Sequence, residues 1–218
     1  FEPTAGTVVF DGIGAQSVTT AQTELRFAGL EIEASSQVTT TKDVLTLLGL
    51  AVRGALTSTG AALTCGADLT VEGSLQAATA TLDVDGATHF VGGSSATLGG
   101  GEHRFGGDYR EDAPVTQAPG AAFRFDGGAT IVSALGDGLL PAVIVDGVGP
   151  FQIALGSPID VEGDLRVDAG DFGLENAVAV SGKAELLGGS WSGTSSPLSV
   201  DGAVEFLGTA ATGIHDVN

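Results

Sequence analysis

Several residue types are scarce in this chain of 218 residues, and each shortage excludes something. Cys65 is the single cysteine, so no internal disulfide can form, and its small apolar neighbours favour a core or corner position over a nucleophile. Asn176 and Asn218 are the only asparagines, and neither begins an Asn-x-Ser/Thr glycosylation sequon. No apolar run reaches about 18 residues, so the sequence predicts no transmembrane helix.

Basic residues are also few, with 8 Lys and Arg against 27 Asp and Glu, and the net charge is −19. Such a surface repels nucleic-acid phosphates and anionic lipids, so we expect neither a nucleic-acid partner nor membrane insertion. It suits solubility, a calcium-rich or saline medium, or a cationic partner. Because the chain begins at Phe1 and lacks a basic-then-apolar signal peptide, we expect a processed product or part of a longer protein.

A repeated phrase is the most informative pattern present. It occurs as Ile159-Asp-Val-Glu-Gly-Asp-Leu-Arg-Val167, Val178-Ala-Val-Ser-Gly-Lys-Ala-Glu-Leu186 and Leu198-Ser-Val-Asp-Gly-Ala-Val-Glu-Phe206, with glycines at 163, 182 and 202. A strand signal that returns about every 20 residues is typical of one turn of a β-solenoid. Hydrophobic residues make up 43% of the chain, which is enough to fill the interior of such a fold.

Period-two alternation assigns the two sides of each strand. Ile159, Val161, Leu165 and Val167 share one side and must point inward, whereas the charged residues between them point outward. Gly163 falls in the inward phase, where a missing side chain permits a corner, a bulge or the close approach of the opposite wall.

These patterns predict an all-β protein, a right-handed parallel β-helix of roughly ten turns with about 20 residues each, the handedness following from general preference. We divide the chain into a first β-solenoid unit at 1–105, a loop excursion at 106–120 and a second unit, continuous with the first, at 121–218. The middle segment contains Pro114, Pro119 and a charge cluster, and proline is disfavoured inside a ladder. Two β-sandwich domains divided near 106–120 are the alternative, which the lack of Asn-Gly hairpin signals disfavours.

Four stretches of the sequence carry a resemblance to a known family. They are Gly6-Thr-Val-Val-Phe-Asp-Gly-Ile-Gly-Ala-Gln-Ser-Val18, Phe27-Ala-Gly-Leu-Glu-Ile32, the Val-x-Gly-x-Leu turns and Gly188-Gly-Ser-Trp191. They resemble the Gly/Thr-rich β-solenoid repeats of large bacterial cell-surface proteins, of adhesin or autotransporter-passenger type. The resemblance implies secretion, an extracellular or cell-surface location, and a structural or adhesive role. It implies no catalytic residues. The chain departs from such repeats in its acidity and its near lack of asparagine.

A candidate ligand-binding segment surrounds the prolines. Basic and aromatic side chains concentrate at His103, Arg104, Tyr109 and Arg110, and functional residues often lie on loops held by a rigid scaffold. Trp191 is the only tryptophan and is the other candidate for ligand contact, for example with a surface glycan. A tolerated insertion is the competing interpretation of the loop.

The residue that precedes each recurring glycine is usually acidic. These residues are Arg53, Glu72, Asp85, Asp146, Glu162, Ser181 and Asp201. If successive turns stack in register, these side chains form a column about 4.8 Å apart, and stacked carboxylates repel unless cations or arginines intervene. Two groups could hold calcium, namely Asp83 with Asp85, and Asp160 with Glu162 and Asp164. No consensus calcium loop is present, and a solvated acidic face is the competing interpretation, so we expect no obligatory cofactor.

Enzymatic chemistry is weakly supported. Parallel β-helices often cleave polysaccharides with paired carboxylates, but this chain offers one Trp and one Tyr for sugar stacking. His89, His103 and His215 lack the spacing of a zinc motif. We therefore expect a non-enzymatic structural segment of an extracellular fibre or adhesin stalk, whose partners are copies of itself or adjoining repeats. A carbohydrate-binding or carbohydrate-cleaving β-helix at the cell surface is the alternative.

Overall fold

The structure, a computed structural model, describes residues 5–128, 130–153, 158–193 and 197–206; the side chains of residues 130, 148, 150–153, 190–193 and 206 lie outside this description. These residues form a parallel β-solenoid of about 9 turns with roughly 20 residues per turn. The prediction of an all-β parallel solenoid is therefore confirmed. No helix occurs among the described residues, and hence none that could span a membrane.

The strands follow one another along the chain with short connections. They are β1 Thr7–Phe10, β2 Gly14–Val18, β3 Glu24–Ile32, β4 Ser36–Thr40, β5 Asp43–Val52, β6 Ala55–Ser58, β7 Ala62–Cys65, β8 Asp68–Val71, β9 Ser74–Ala77, β10 Thr81–Val84, β11 Thr88–Phe90, β12 Ser95–Leu98, β13 Glu102–Phe105, β14 Tyr109–Glu111, β15 Val115–Gln117, β16 Ala122–Phe125, β17 Thr130–Ala134, β18 Leu139–Leu140, β19 Ala142–Ile153, β20 Ile159–Val161, β21 Leu165–Leu174, β22 Val178–Val180, β23 Ala184–Leu186, β24 Ser190–Gly193, β25 Leu198–Val200 and β26 Val204–Phe206.

Each turn contributes to three faces. The first face is the parallel ladder β3-β5-β7-β10-β13-β16-β19-β21-β23-β26. The second is the ladder β1-β3-β5-β8-β11-β14-β17-β19-β21-β24. The long strands β3, β5, β19 and β21 belong to both faces, and the register of β3 and of β19 shifts between its two halves. A strand that bends at a bulge can cross a corner without leaving its ladder.

The third face is interrupted. One sheet runs β2-β4-β6-β9-β12-β15 and a separate sheet runs β18-β20-β22-β25. The interruption lies between β15 and β18, a strand of only two residues. Pro141 follows β18 directly and has no N–H with which to extend the ladder, which accounts for the short strand.

The core is the interior of the coil, and alternation places its residues as predicted. In the strands around 160, Ile159, Val161, Leu165 and Val167 are all at most 1% exposed, while Asp160 and Arg166 are exposed. The same alternation runs through the short strands, such as the exposed-buried pattern of Asp68–Val71. Because each turn buries its apolar side only against its neighbours, the solenoid is stabilised rung by rung.

The recurring glycines mark corners where successive turns approach closely. A Cβ on Gly182 would lie 2.6 Å from the carbonyl oxygen of Gly163, and one on Gly202 would lie 2.5 Å from that of Gly182. The glycines of the repeated phrase therefore stack on one another at a corner, and the close neighbour is the adjacent turn, not the opposite wall.

Aspartates at the corners tie each turn to the next. The Oδ1 atom of Asp43 accepts the N–H of Ala61 at 2.7 Å, and that of Asp68 accepts the N–H of Ala87 at 2.9 Å. Asp164 accepts the N–H of Lys183 in the same way, at 2.9 Å. Carboxylates thus satisfy backbone donors that would otherwise lack partners at the ends of strands, and part of the acidity has a structural use.

Residues 106–120 differ from the prediction. They do not leave the solenoid as a loop, since they contain β14 and β15, which pair in register with their neighbours. Pro114 precedes β15 and Pro119 follows it, so both prolines lie at corners, where the missing N–H interrupts no ladder bond. The prolines thus interrupt strands at corners, and the predicted loop excursion is wrong.

Candidate functional site

The predicted binding residues of the middle turns lie on two faces and point in opposite directions. His103 and Tyr109 are 0% exposed, whereas the side chains of Arg104 and Arg110 are 51% and 57% exposed. His103 lies two residues before the buried Phe105, so strand alternation turns both side chains inward. The structure therefore does not bring the four residues together at the surface, and the predicted binding loop is replaced by a core cluster and an outer ion-pair array.

His103 is fully paired inside the coil. Its Nδ1 accepts the backbone N–H of Leu82 at 2.9 Å, which leaves the proton on Nε2, and Nε2 donates to the carbonyl oxygen of Gly99 at 2.9 Å. Burial lowers the pKa of this imidazole, because water is not available to solvate the charged form. The histidine is thus a neutral bridge between two turns and has no lone pair free for a metal.

Aromatic rings fill the coil around His103. Phe90, Phe105, Phe123 and Phe125 contact one another or Tyr109 with ring centroids 4.8–6.0 Å apart, mostly edge to face. The His103 ring meets Phe123 edge to face at 5.7 Å. Such contacts stabilise the core beyond their buried area, and they fill the lumen where a ligand would otherwise enter.

A carboxyl group is buried in the same turns. Glu111 is 0% exposed, and along the second face its neighbours are Phe90 and Ala134. The hydroxyl of Tyr109 donates to its Oε2 at 2.6 Å, and the backbone N–H of Val115 donates to its Oε1 at 3.1 Å. These two bonds hold the carboxyl in one position, and burial beside Glu111 raises the pKa of the Tyr109 phenol.

Burial raises the pKa of Glu111 to about 7, the largest cause being loss of solvation. The Asp137 carboxyl contributes in the same direction, by its charge and by a side-chain hydrogen bond that favours the protonated form of Glu111. Asp137 belongs to the corner 135–138, where the N–H groups of Leu135 and Gly136 donate to the backbone carbonyl of Glu111 at 2.6 and 2.9 Å. This corner is therefore joined to the backbone of Glu111.

The outer surface of the same turns is an array of ion pairs. Arg124, whose side chain is 16% exposed, donates to both carboxylate oxygens of Glu102 at 2.8 and 3.0 Å, and to Asp146 at 2.7 Å. The Arg124 guanidinium lowers the pKa of Glu102 in consequence. On the neighbouring face, Arg110 pairs with Asp112 at 2.9 Å and His89 lies 2.9 Å from the same carboxylate.

The residues predicted to form one acidic column are distributed over three corners. Arg53 and Glu72 lie where the second face meets the third, Asp85 and Asp146 where the first meets the second, and Glu162, Ser181 and Asp201 where the third meets the first. The prediction of a single column is wrong, because the same sequence motif, a polar residue followed by glycine, occurs at all three corners. Arg53 lies among Glu31, Glu33 and Glu72, so its corner is neutralised by an interposed arginine.

The predicted calcium ligands lie at two separate places. Asp83 points outward on the first face, where burial and then the charge of Asp85 raise its pKa, and Arg104 counteracts this. Asp160 lies on the third face, and Glu162 and Asp164 lie at the following corner. Within the described part of the chain, no group of three or more His, Cys, Asp or Glu side chains could hold a metal ion. Calcium binding stays a prediction.

The remaining candidates carry no site. Cys65 is 0% exposed, and burial raises the pKa of its thiol, in agreement with a core position. Trp191 lies in β24, but its side chain is outside the described structure, as is the whole of His215. Because Tyr109 is buried, it cannot stack against a sugar at the surface.

Sequence reasoning missed the buried carboxyl and its partner in the corner. The local sequence shows only that Glu111 and Tyr109 share one side of their strand, and it does not show that this side faces the interior. An acidic residue in the inward phase of a strand indicates a buried carboxyl with specific partners. The contribution of Asp137 comes from the path of a corner, which strand periodicity does not describe.

The stacked parallel ladders and the filled interior define this chain as a β-solenoid protein. No family model, no curated protein and no solved structure matches it.

Proposed function

We propose that the chain is a structural segment of an extracellular fibre or adhesin stalk, in which neighbouring turns or subunits stack end to end. The observation that supports this best is the first face, whose parallel ladder runs without interruption from β3 to β26. Such a ladder transmits load along the solenoid axis through backbone hydrogen bonds.

The interior supports a scaffold role. The lumen is filled by apolar side chains in every described turn, from Leu30 and Leu50 near one end to Val178 and Leu198 near the other. A binding or catalytic β-helix needs a groove with converging polar groups, whereas His103 and Glu111 of this core are held by internal hydrogen bonds. This packing makes the solenoid rigid along its axis.

The sheet edges support stacking. Among the described strands, β2 and β25 each have one partner in their sheets, as does β26 in its own. An edge strand offers unpaired N–H and C=O groups that a further parallel strand can bond. In the proposed assembly, an adjoining turn occupies each edge and continues the same register.

The charge distribution supports contact at the ends instead of the sides. The net charge of −19 makes two solenoids repel when they approach side by side. Contact through the sheet edges brings fewer of the outward-pointing side chains together than side-by-side contact does, so it meets less of that repulsion. An extracellular medium with abundant salt would screen the remainder.

Electron microscopy of the native material with an antibody raised against this chain tests the proposal. We expect the label to decorate long unbranched filaments at regular intervals. Labelling confined to discrete short rods would contradict a stacking role and would direct attention to the side faces as binding surfaces.

A further inference from the structure

One sheet of the third face carries no charge. Its strands β2, β4, β6, β9, β12 and β15 contain no Asp, Glu, Lys or Arg, although these residues make up 16% of the chain. Charged side chains such as Arg104 and Arg110 point outward from the other two faces, and Asp160 does so from the second sheet of the third face. On a protein with a net charge of −19, the neutral sheet is therefore a distinct surface.

The outward side chains of this sheet form two columns that run from strand to strand. The ladder register places in one column Ser17, Thr39, Thr57, Gln76, Thr97 and Thr116. It places in the other Ala15, Gln37, Ala55, Ser74 and Ser95. Neighbours within a column lie about 4.8 Å apart, and the columns lie about 6.6 Å apart, because their positions differ by two residues in each strand. We call this grid of small neutral side chains the hydroxyl face.

The threonine hydroxyls of the hydroxyl face are not used inside the protein. Within the described part of the chain, no side-chain hydrogen bond is made by Thr39, Thr57, Thr97 or Thr116. In the other column, Ser95 donates to Ser74 at 3.1 Å. Each hydroxyl can donate one hydrogen bond and accept two, and the amide of Gln76 can also do both. Because the ladder fixes their spacing, these groups suit a ligand whose own hydrogen-bonding groups repeat at the same interval.

The size and composition of the hydroxyl face restrict its partner. Six strands and four residues per strand give a face of about 24 Å by about 13 Å. A second copy docked on it would bury roughly 600 Å² in total, well below the roughly 1,200 Å² of a stable interface. The six strands also lack Phe, Tyr and Trp, which usually line the pockets that hold small organic ligands. The matching ligand is itself flat, repeating, uncharged and able both to donate and to accept hydrogen bonds.

We propose that the hydroxyl face binds ice, with the column from Ser17 to Thr116 adsorbed on a prism plane of the crystal. The water oxygens of that plane repeat in two directions at spacings close to those within and between the columns, so threonine hydroxyls can occupy lattice positions. A charged side chain would keep a tightly held hydration shell that does not fit the lattice, which accounts for the lack of charge. Ice binding uses a side face, so it does not depend on end-to-end stacking.

Adsorption to ice tests the proposal, with the purified chain and ice itself as the probe. A single ice crystal grown in a solution of fluorescently labelled chain should take up the label on its prism planes. The chain should also hold the freezing point of a small crystal below its melting point. Thr57→Lys places a long cation in the middle of the column and should abolish both effects. Thr64→Lys makes the same change at a half-buried outward position of the first face, and it should behave like the parent chain.

A parent chain that leaves ice unlabelled and the freezing point unchanged would overturn the proposal. Equal losses in Thr57→Lys and Thr64→Lys would also overturn it, because ice binding would then not depend on the hydroxyl face. A parent chain that sediments as a dimer, and as a monomer after Thr57→Lys, would assign the face to a second copy instead. Circular dichroism checks the fold of each variant. If Thr57→Lys does not fold, Thr116→Lys on the edge strand β15 repeats the test at an exposed position.

Discussion

A histidine in the core of a solenoid stays neutral when both of its nitrogen atoms already have backbone partners. His103 accepts from Leu82 and donates to Gly99, and burial lowers its pKa. The unfolded chain therefore binds more protons than the folded chain once the pH falls below the ordinary histidine range. His103 contributes stability that is present above that range and lost on acidification.

Replacement of His103 by leucine tests this residue. The variant leaves the N–H of Leu82 and the carbonyl of Gly99 without a partner, and we expect the free energy of unfolding at pH 7 to fall by about 2 kcal/mol. The difference from the parent chain should narrow as the pH falls, because the variant has no imidazole to protonate. Urea unfolding at several pH values measures both effects.

His89 supplies the matched control. It lies on the outer surface of the second face, with its Nε2 2.9 Å from Asp112. His89→Gln should change the free energy of unfolding by less than about 0.5 kcal/mol, as is usual for surface substitutions. Equal losses of unfolding free energy in the two variants would show that the internal hydrogen bonds of His103 stabilise the fold no more than a surface contact does.

Individual residues also show how far alternation could be used for prediction. Parity with Phe105 would have placed His103 inside, whereas parity with the acidic Glu111 would have placed Tyr109 outside, contrary to the structure. Residue type favoured a binding role instead, because aromatic and basic residues were considered together. Buried polar residues are hard to anticipate since their cost is removed by partners that are distant in the sequence, as Leu82 is from His103.

At the scale of the element, the corners decide how closely turns can stack. A methyl group on Gly182 would lie 2.6 Å from the carbonyl oxygen of Gly163. We expect Gly182→Ala to lower the free energy of unfolding by about 1–3 kcal/mol, because the backbone of one turn must shift. Thermal or urea unfolding measures the loss.

Gly92→Ala provides the comparison for that corner. A Cβ on Gly92 would lie 3.7 Å from the carbonyl oxygen of Asp112, an ordinary van der Waals contact. The free energy of unfolding of Gly92→Ala should stay within about 0.5 kcal/mol of that of the parent chain. If both alanine variants were equally stable, close approach would not explain the recurring glycines.

The outer ion pairs make a separate prediction for the first face. Arg124 separates Glu102 from Asp146, so Arg124→Gln leaves these carboxylates near each other without a cation. We expect a loss of about 1–2 kcal/mol at low salt and a smaller loss at 1 M salt, where the repulsion is screened.

Arg166 is the suitable control for Arg124. It is more exposed, at 45%, and pairs with Asp168 at 2.6 Å. Arg166→Gln should cost less than about 1 kcal/mol, as exposed ion pairs usually do. A loss for Arg124→Gln that does not change with salt would show that packing of its side chain, and not charge, is responsible.

The strands themselves were predictable because alternation at 159–167 depends only on local sequence, and the buried and exposed sides agree with it. The corners were not predictable to the same degree. The phrase formed by a polar residue and glycine looks the same at all three corners, so Glu72, Asp85 and Glu162 could not be separated from sequence. Pro114 and Pro119 marked corners, yet the strands beside them were short and less distinct.

For the molecule as a whole, the acidic surface raises the question of whether the protein binds calcium. Asp164 already accepts a backbone N–H, and Arg104 lies near Asp83. Calcium prefers six to eight oxygen ligands, and these groups supply fewer. We expect the thermal unfolding midpoint to be the same with excess chelator as with millimolar calcium. A midpoint that rises with calcium and returns with chelator would establish a calcium-dependent module instead.

In the proposed fibre, turns stack along one axis into a filament. X-ray fibre diffraction from aligned native filaments tests it most directly, because the strands of a solenoid lie across the axis and repeat along it. We predict a meridional reflection at about 4.8 Å, the spacing of hydrogen-bonded strands. Filaments that show this spacing on the equator, or native material that forms no filaments, would contradict a stalk built by end-to-end stacking.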